Sequence, residues 1–365
     1  MKAFDPTIPF NDLPLLPPAA DIETSAVLKA CIEAHKELAK LKTTGKLVPN
    51  QTVLTNSISL LESQASSSIE NIVTTTDELF EYAQDDSAPM SPSTKETLRY
   101  RHALYEGCQL LKERPLTIPL VCKLCSIIRR VETDVRKVPG TALVHDRTGE
   151  KIYTPPEGER RLRDLLSNWQ DYLNDTSSGI DPLIRLAIQH YQFEAIHPFS
   201  DGNGRTGRII NLLYVIHHQL LDTPILYMSG HIIRAKGEYY QRLLQVTTEG
   251  AWVEWILYFL NGVYETSKWT LSKISAIQEL IHSSSEFLRA KAPSIYSKEP
   301  IELLFTQPYI RIHNLASAFK IGRDTASKHL KLLSAIGFLE EVKRGREKLF
   351  INHAFLNLLR TNLRI

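Results

Sequence analysis

The chain has 365 residues, 43% hydrophobic and 23% charged, with a formal net charge of +2. That length supports two or three domains, each burying its own core, and the composition excludes a collagenous or largely disordered chain. A charge so near zero excludes a molecule that coats nucleic acid or an anionic membrane over its whole surface, so any such affinity must be local.

No apolar run reaches the roughly 18 residues that a transmembrane helix needs. The first twenty residues lack the basic start and unbroken apolar stretch of a signal peptide. The expectation is a cytoplasmic protein with no membrane contact. Four cysteines do not make a disulfide scaffold, and the C-x-x-C of Cys122 and Cys125 has no second pair or histidine cluster beside it, so it reads as part of a buried helix face.

Five prolines in the first eighteen residues resist regular structure and suggest either an extended arm over the body or a loose tail. From about Asp21 to Lys42 the apolar positions Val27, Leu28, Cys31, Ala34, Leu38 and Leu41 recur at helical spacing. A second helical stretch ends at a Ser/Pro-rich break over 87–94, and helical patterning resumes from about Thr94. Thr141 to Val144, a D-R-T-G turn and Lys151 to Thr154 read as a β-hairpin in an otherwise helical chain. Helices return at "ERRLRDLLSNWQDYLN" and "PLIRLAIQHYQFEAI", the latter with Pro182 in its first turn.

Next comes "HPFSDGNGRTGR", residues 197–208. Pro198 breaks the preceding helix, and a new one is expected near Arg205. The glycines between permit φ > 0 and turn backbone amides toward a common point. The helix N-terminus adds partial positive charge there, and Arg205 and Arg208 can reach the same place. That is more positive charge than one carboxylate needs, so a polyphosphate fits better. Asp201 at the lip would repel bare phosphate, and a divalent cation, Mg²⁺, resolves the conflict. His197 is suited to taking a proton from an attacking hydroxyl, and Phe199 is expected to anchor the loop in the core.

The run fills every specified position of H-x-F-x-(D/E)-G-N-G-R-x-x-R: His197, Phe199, Asp201, Gly202, Asn203, Gly204, Arg205 and Arg208. It resembles the signature of the Fic family. The resemblance implies a mainly α protein: a Fic-type helical core with a β-hairpin flap that receives the target segment by strand addition. It also implies an enzyme that moves AMP from ATP to a Tyr, Thr or Ser hydroxyl of a target protein, itself included. His197 would then be the general base and Asp201 would hold Mg²⁺. Gly202, Asn203, Gly204, Arg205, Thr206, Gly207 and Arg208 would bind phosphate, and Tyr239 and Tyr240 would lie on the adenine side. The motif leaves transfer of another nucleotide or of phosphocholine open. "SSSIEN", residues 66–71, is similar to the family's inhibitory motif (S/T)-x-x-x-E-(G/N), filled by Ser66, Glu70 and Asn71. Glu70 would take Arg208 away from the γ-phosphate, and could also orient a water to remove AMP.

After residue 300 there are eleven Lys or Arg and five Asp or Glu, a local net charge of +6. A helix, a helix over "IRIHNLASAF", a turn, a helix over "DTASKHLKLLSAIGF" and a two-stranded wing resemble a winged helix-turn-helix. Its second helix would place Thr325, Ser327 and Lys328 near bases, with Lys343, Arg344 and Arg346 on phosphates; docking to protein is the alternative. The expected division is an N-terminal arm and inhibitory helical region over 1–94, a Fic core over 95–285 and a winged helix over 286–365. A homodimer is plausible for such a helical core. The rival function is a DNA-binding regulator whose Fic-like core senses nucleotide.

Overall fold

The structure is a computed structural model, and it describes residues 4–48, 50–83, 90–145, 148–295, 298–344 and 347–361. The N-terminal segment is an arm laid on the body. Phe10 N donates to Thr154 O at 2.9 Å, Arg161 to Leu13 O at 2.9 Å and Gln192 to Pro14 O at 2.8 Å, and Leu13 and Leu16 are buried.

Helix α1 (Ser25–Leu47) starts where the Thr24 hydroxyl accepts from Val27 N at 3.3 Å, and it buries the apolar stripe from Val27 to Leu41 with the exception of Leu28, which is exposed. Helix α2 (Gln51–Ile69) is capped by Asn50 and buried along most of its length. It stops at Glu70 because Asn71 takes the left-handed conformation, φ 61°. A short α3 (Thr76–Tyr82) follows, then α4 (Pro92–Leu110), which starts on the Ser91 cap with proline in its first turn, and α5 (Ile118–Arg129). The hairpin is present as β1 (Leu143–Val144) antiparallel to β2 (Lys151–Tyr153), with Leu143 opposite Tyr153. Asp146 and Arg147 of its expected turn lie outside the described residues.

Helix α6 (Glu159–Asn174) leads to α7 (Pro182–Ile196) and α8 (Asn203–His217), which pack together at the centre. Helices α9 (Met228–Arg234), α10 (Lys236–Glu249) and α11 (Trp252–Lys291) follow, and α11 packs along α1. Because α11 is continuous through residue 285, the expected domain boundary there falls inside a helix. Beyond it lie α12 (Lys298–Leu304), β3 (Tyr309–Arg311), α13 (Ile312–Phe319), α14 (Arg323–Ala335), β4 (Glu340–Arg344), β5 (Glu347–Ile351) and α15 (His353–Arg360). The three strands form one antiparallel sheet in the order β3-β5-β4. The first residues of the helix expected over 310–319 are therefore a strand, because Tyr309, Ile310 and Arg311 pair with Ile351, Phe350 and Leu349.

This C-terminal unit grips α3. Arg311 donates to Glu81 O at 3.2 Å, Arg344 lies 3.6 Å from the Glu81 carboxylate, and Arg360 pairs with Asp77. From the other side the buried Lys273 of α11 donates to Leu358 O and Thr361 O at 2.5 Å each. Among the described residues no helix is long and apolar enough to cross a membrane.

Candidate active site

The turn between α7 and α8 holds the run from His197 to Asp201 and leads into Arg208. His197 caps α7 in the left-handed region, φ 49°, a conformation that a non-glycine residue holds only where its surroundings fix it. They do: Arg136, buried, donates from Nε to His197 O at 2.8 Å, and its backbone N–H donates to Pro198 O at 2.8 Å. The Phe199 ring is buried against Phe193, centroids 6.3 Å apart, and so anchors the loop as expected. Burial pushes the imidazole of His197 down to about 4, and its Nδ1 is buried with no hydrogen-bond partner. Near neutral pH it is an uncharged base.

Gly202, φ 84°, lets the chain enter α8, and it sits so close to α5 that an added Cβ would lie 3.3 Å from Cys125 Sγ. Cys125 is thus a packing residue under the loop, and burial pushes its thiol up to about 11. At Gly204 a Cβ would stand 2.3 Å from Glu70 Oε1 and 3.0 Å from Arg208 Nη1. The carboxylate of Glu70 therefore rests against the first turn of α8, where a helix N-terminus favours an anion.

Arg208 is 2% exposed and held by the end of α2. Its Nη2 donates to Glu70 Oε1 at 2.7 Å and to Ser66 O at 3.0 Å, and its Nε donates to Ser66 Oγ at 2.8 Å. Burial would raise the Glu70 carboxyl, but the Arg208 guanidinium outweighs it and holds the group below its ordinary value. Burial likewise opposes the charge on Arg208, and Glu70 more than offsets it. Asn71 accepts from Lys236 Nζ at 3.3 Å, which ties the end of α2 to α10. One face of α2 thus brings Ser66 and Glu70 together on Arg208.

Four residues expected near phosphate have side chains, or the space where one would stand, turned into the protein. Arg205, 3% exposed, pairs with Glu96 of α4 and lies 3.8 Å from Asp201 Oδ1, so it ties α8 to α4 instead of reaching for an anion. The Asn203 side chain is used up on Phe199, accepting from its N–H and donating to its C=O, both at 2.8 Å, which leaves only its backbone amide for a ligand. Thr206 is fully buried. Gly207 is a packing residue, since a Cβ there would lie 2.7 Å from Glu194 Oε1 and 3.0 Å from the Phe193 ring.

Asp201 is 65% exposed, with Arg129 Nε at 3.7 Å. Those contacts are longer than hydrogen bonds, so its oxygens retain lone pairs for a cation. One free carboxylate suits Mg²⁺, which takes most of its ligands from phosphate and water. The residues fit that ion in company with a polyphosphate.

The expected adenine-side pair divides. Tyr239 is 1% exposed and its hydroxyl bonds His190 Nε2 at 2.9 Å, inside a chain that continues from His190 Nδ1 to Asn211 at 3.0 Å. It is a core residue and cannot stack on a base. Tyr240 is 41% exposed, with Lys236 Nζ 5.9 Å from its ring centre, and is the member of the pair that remains accessible. Sequence reasoning missed Glu96, Arg136, Glu194 and Glu62. The last is buried in α2, accepts from Ser229 N at 2.9 Å and from Tyr100 at 3.3 Å, and burial pushes it up to about 7.

The turn between α7 and α8 thus carries a half-buried histidine, an exposed carboxylate and a helix N-terminus within one short run. Three family models match in tandem: the Fic/DOC family N-terminal model over residues 28–109, the Fic/DOC family model over 115–215 and the protein adenylyltransferase SoFic-like C-terminal domain over 280–355. The chain carries Fic/DOC family domains and a SoFic-like C-terminal domain. It is similar to protein adenylyltransferase fic-1 of Caenorhabditis briggsae, 38% identical over 92 residues, 25% of this chain and 17% of that protein. It is also similar to protein adenylyltransferase Fic of Culex quinquefasciatus, 31% identical over 156 residues, 42% and 30% of the two. The matched stretches thus span less than a third of either relative. A crystal structure of a Fic family protein from Desulfovibrio desulfuricans shares the fold at 18% identity, TM-score 0.57, over 92% of this chain and 98% of that one. Fic-1 from C. elegans does so at 19% identity, TM-score 0.51, over 68% and 72%.

Proposed function

We propose that the protein transfers AMP from ATP to a hydroxyl side chain of a protein, and that Glu70 holds the transfer in check. The observation that carries this reading is the Glu70 carboxylate lying on Arg208 at 2.7 Å, against the first turn of α8, with the complete set from His197 to Arg208 around it. When Glu70 leaves, Arg208 and the α8 amides are open to the β- and γ-phosphates. His197 takes the proton of the target hydroxyl, whose oxygen attacks the α-phosphorus, and pyrophosphate departs with the P–O bond electrons. Mg²⁺, when bound at Asp201, supplies charge neutralisation of the phosphates. The chain itself contributes alignment: Arg136 fixes His197, and Glu96 with Arg205 fixes the lip. The strand β1 beside the site offers an edge for the target backbone.

The test is incorporation of labelled AMP with Mg²⁺, read as self-modification and compared with His197→Ala. Loss of transfer in the variant with nucleotide affinity kept within a few-fold is expected. Undiminished transfer would remove His197 from the mechanism.

A second reading concerns the C-terminal unit, a winged helix in our reading. Thr325 and Lys328 on α14 are exposed beside Arg323 and Lys331, and Ser327 is half-buried, which suits a helix that enters a major groove. Arg344, expected on a DNA phosphate, faces Glu81 instead, Lys343 is exposed, and Arg346 lies outside the described residues. Gel-shift titration with random duplex DNA tests it: a shift lost on Lys328→Glu supports DNA binding, and no shift at low salt removes it.

A further inference from the structure

Away from the His197 site, three side chains of metal-binding type meet where α1 packs against the start of α7: Cys31, His35 and Asp181. Each offers one ligand atom, a sulfur, a ring nitrogen and a carboxylate oxygen, and these atoms all lie within 4.8 Å of one another.

Local structure explains the meeting. Cys31 and His35 are four apart on α1 and so share one face of it. Asp181, 146 residues beyond His35, is the N-cap of α7. Its Oδ1 accepts from Leu183 N at 2.8 Å, which fixes the carboxylate, and His35 Nε2 lies 2.9 Å from both Oδ1 and Oδ2. Cys31 is 3% exposed, whereas the side chains of His35 and Asp181 are 34% and 28% exposed. The sulfur therefore lies at the inner end, and the imidazole and carboxylate stand at an edge that solvent reaches.

An ion pair between His35 and the cap accounts for two of the three groups and leaves the sulfur unexplained. The thiol is not a nucleophile either, because burial pushes it up and Asp181 adds to the effect. A divalent ion accounts for all three. Two ligands of one tetrahedral zinc ion stand about 3.3–3.6 Å apart, and the three atoms are already near that spacing. Ligands at i and i+4 on a helix, completed by a third from elsewhere in the chain, are a recurring way to hold zinc. Sulfur beside imidazole selects Zn²⁺ over Mg²⁺ and Ca²⁺, which take oxygen. Charge agrees as well: a thiolate and a carboxylate neutralise the ion, so the positive end of the α7 dipole does not oppose it. Arg185, one turn along α7, is directed to the carbonyl oxygens of Tyr172 and Asp175.

We infer that Cys31, His35 and Asp181 form a zinc site that clasps α1 to the N-terminus of α7, with water in the fourth position. On binding, the thiol gives its proton to solvent as the Zn–S bond forms. The imidazole keeps one proton, on Nδ1, and offers the lone pair of Nε2. The inference does not depend on AMP transfer, since it uses none of the residues that the proposed reaction uses.

Titration of the whole chain, reduced and freed of metal, with Co²⁺ and then Zn²⁺ tests it. Cobalt bound through sulfur shows a thiolate-to-metal absorption band, which cobalt held by the Asp201 carboxylate lacks. Cys31→Ala removes the sulfur, Asp181→Asn keeps a good helix cap while removing the anionic ligand, and Cys122→Ser controls for the C-x-x-C pair.

One equivalent of Co²⁺ with a thiolate band is expected, displaced by Zn²⁺, and Zn²⁺ should raise the melting temperature. Cys31→Ala should abolish the band and the rise in melting temperature. Asp181→Asn should weaken Co²⁺ binding about tenfold or more, and Cys122→Ser should change neither. No thiolate band at millimolar Co²⁺ would overturn the site, as would a band that survives Cys31→Ala or is lost in Cys122→Ser. If Cys31→Ala does not fold, Asp181→Asn and His35→Gln decide in its place, and Co²⁺ affinity unchanged in both would overturn the site equally.

Discussion

Replacing Glu70 by glycine removes one partner of the Arg208 pair and leaves the other partner 2% exposed. Loss of one member of a fully buried pair costs about 3–5 kcal/mol. Here the loss is smaller: Glu70 is 33% exposed, and Ser66 still accepts two hydrogen bonds from Arg208. A charge-assisted hydrogen bond of this kind is worth about 1.5–3 kcal/mol. In the proposed function the same quantity sets the brake, because the γ-phosphate and Glu70 would compete for one guanidinium. Removing the competitor should raise the rate of AMP incorporation by about ten- to a hundredfold. It should also lower the melting temperature of the nucleotide-free protein, and a non-hydrolysable ATP analogue with Mg²⁺ should restore it by supplying Arg208 with a γ-phosphate. The assay is initial-rate incorporation of label from ATP, run beside thermal melts with and without the analogue. If Glu70→Gly binds nucleotide and transfers AMP at the wild-type rate, the carboxylate at 2.7 Å is a structural contact and the brake does not exist.

Three further perturbations test other parts of the site. Glu96→Gln strips the charge partner from Arg205, which is 3% exposed, and should cost about 2 kcal/mol in urea unfolding and raise KM for ATP by freeing the lip at Asp201. Gly204→Ala places a Cβ 2.3 Å from Glu70 Oε1, so it should unseat the brake yet also crowd the phosphates; transfer should stay low even in combination with Glu70→Gly. Glu62 has its folded value raised to about 7 from 4.5, so the fold binds this proton more tightly than the unfolded chain does, and the stability it contributes fades as pH rises between those values. Glu62→Gln, which cannot ionise, should therefore match wild type near pH 4 and gain up to about 3 kcal/mol at pH 8, read from urea midpoints at the two pH values.

The helices and the reactive turn were legible because both are local. Apolar residues at helical spacing made α1, α6 and α7 readable, and the turn residues from His197 to Arg208 lie within one short run. The partners were not legible, because they come from distant parts of the chain. Glu96 stands 109 residues before Arg205, and Arg136 stands 61 before His197. No spacing rule connects either pair. The side-chain partners of Arg205 and Asn203 were illegible for a related reason: a polar side chain beside such a turn can serve a ligand or the scaffold, and only its partner decides. Tyr239 and Tyr240 show the same limit, since adjacent helical positions point about 100° apart and the spacing alone does not say which of the two faces the core. The strand β3 was read as helix because three residues are too few to display an alternation, and its pairing with β5 is made across nearly forty residues.

The segment that carries Glu70 is fastened at both ends, upstream where Glu62 is held by Ser229 and Tyr100, and downstream where Arg311, Arg344 and Arg360 grip α3. A segment so anchored has little freedom to swing out as a body. What remains is rotation of one partly exposed side chain, an event of nanoseconds. Regulation by such a group leaves no memory from one turnover to the next: progress curves should run straight from the first product, without a lag after ATP is added. Any agent that produced a lag would have to act on the fastenings and not on the carboxylate.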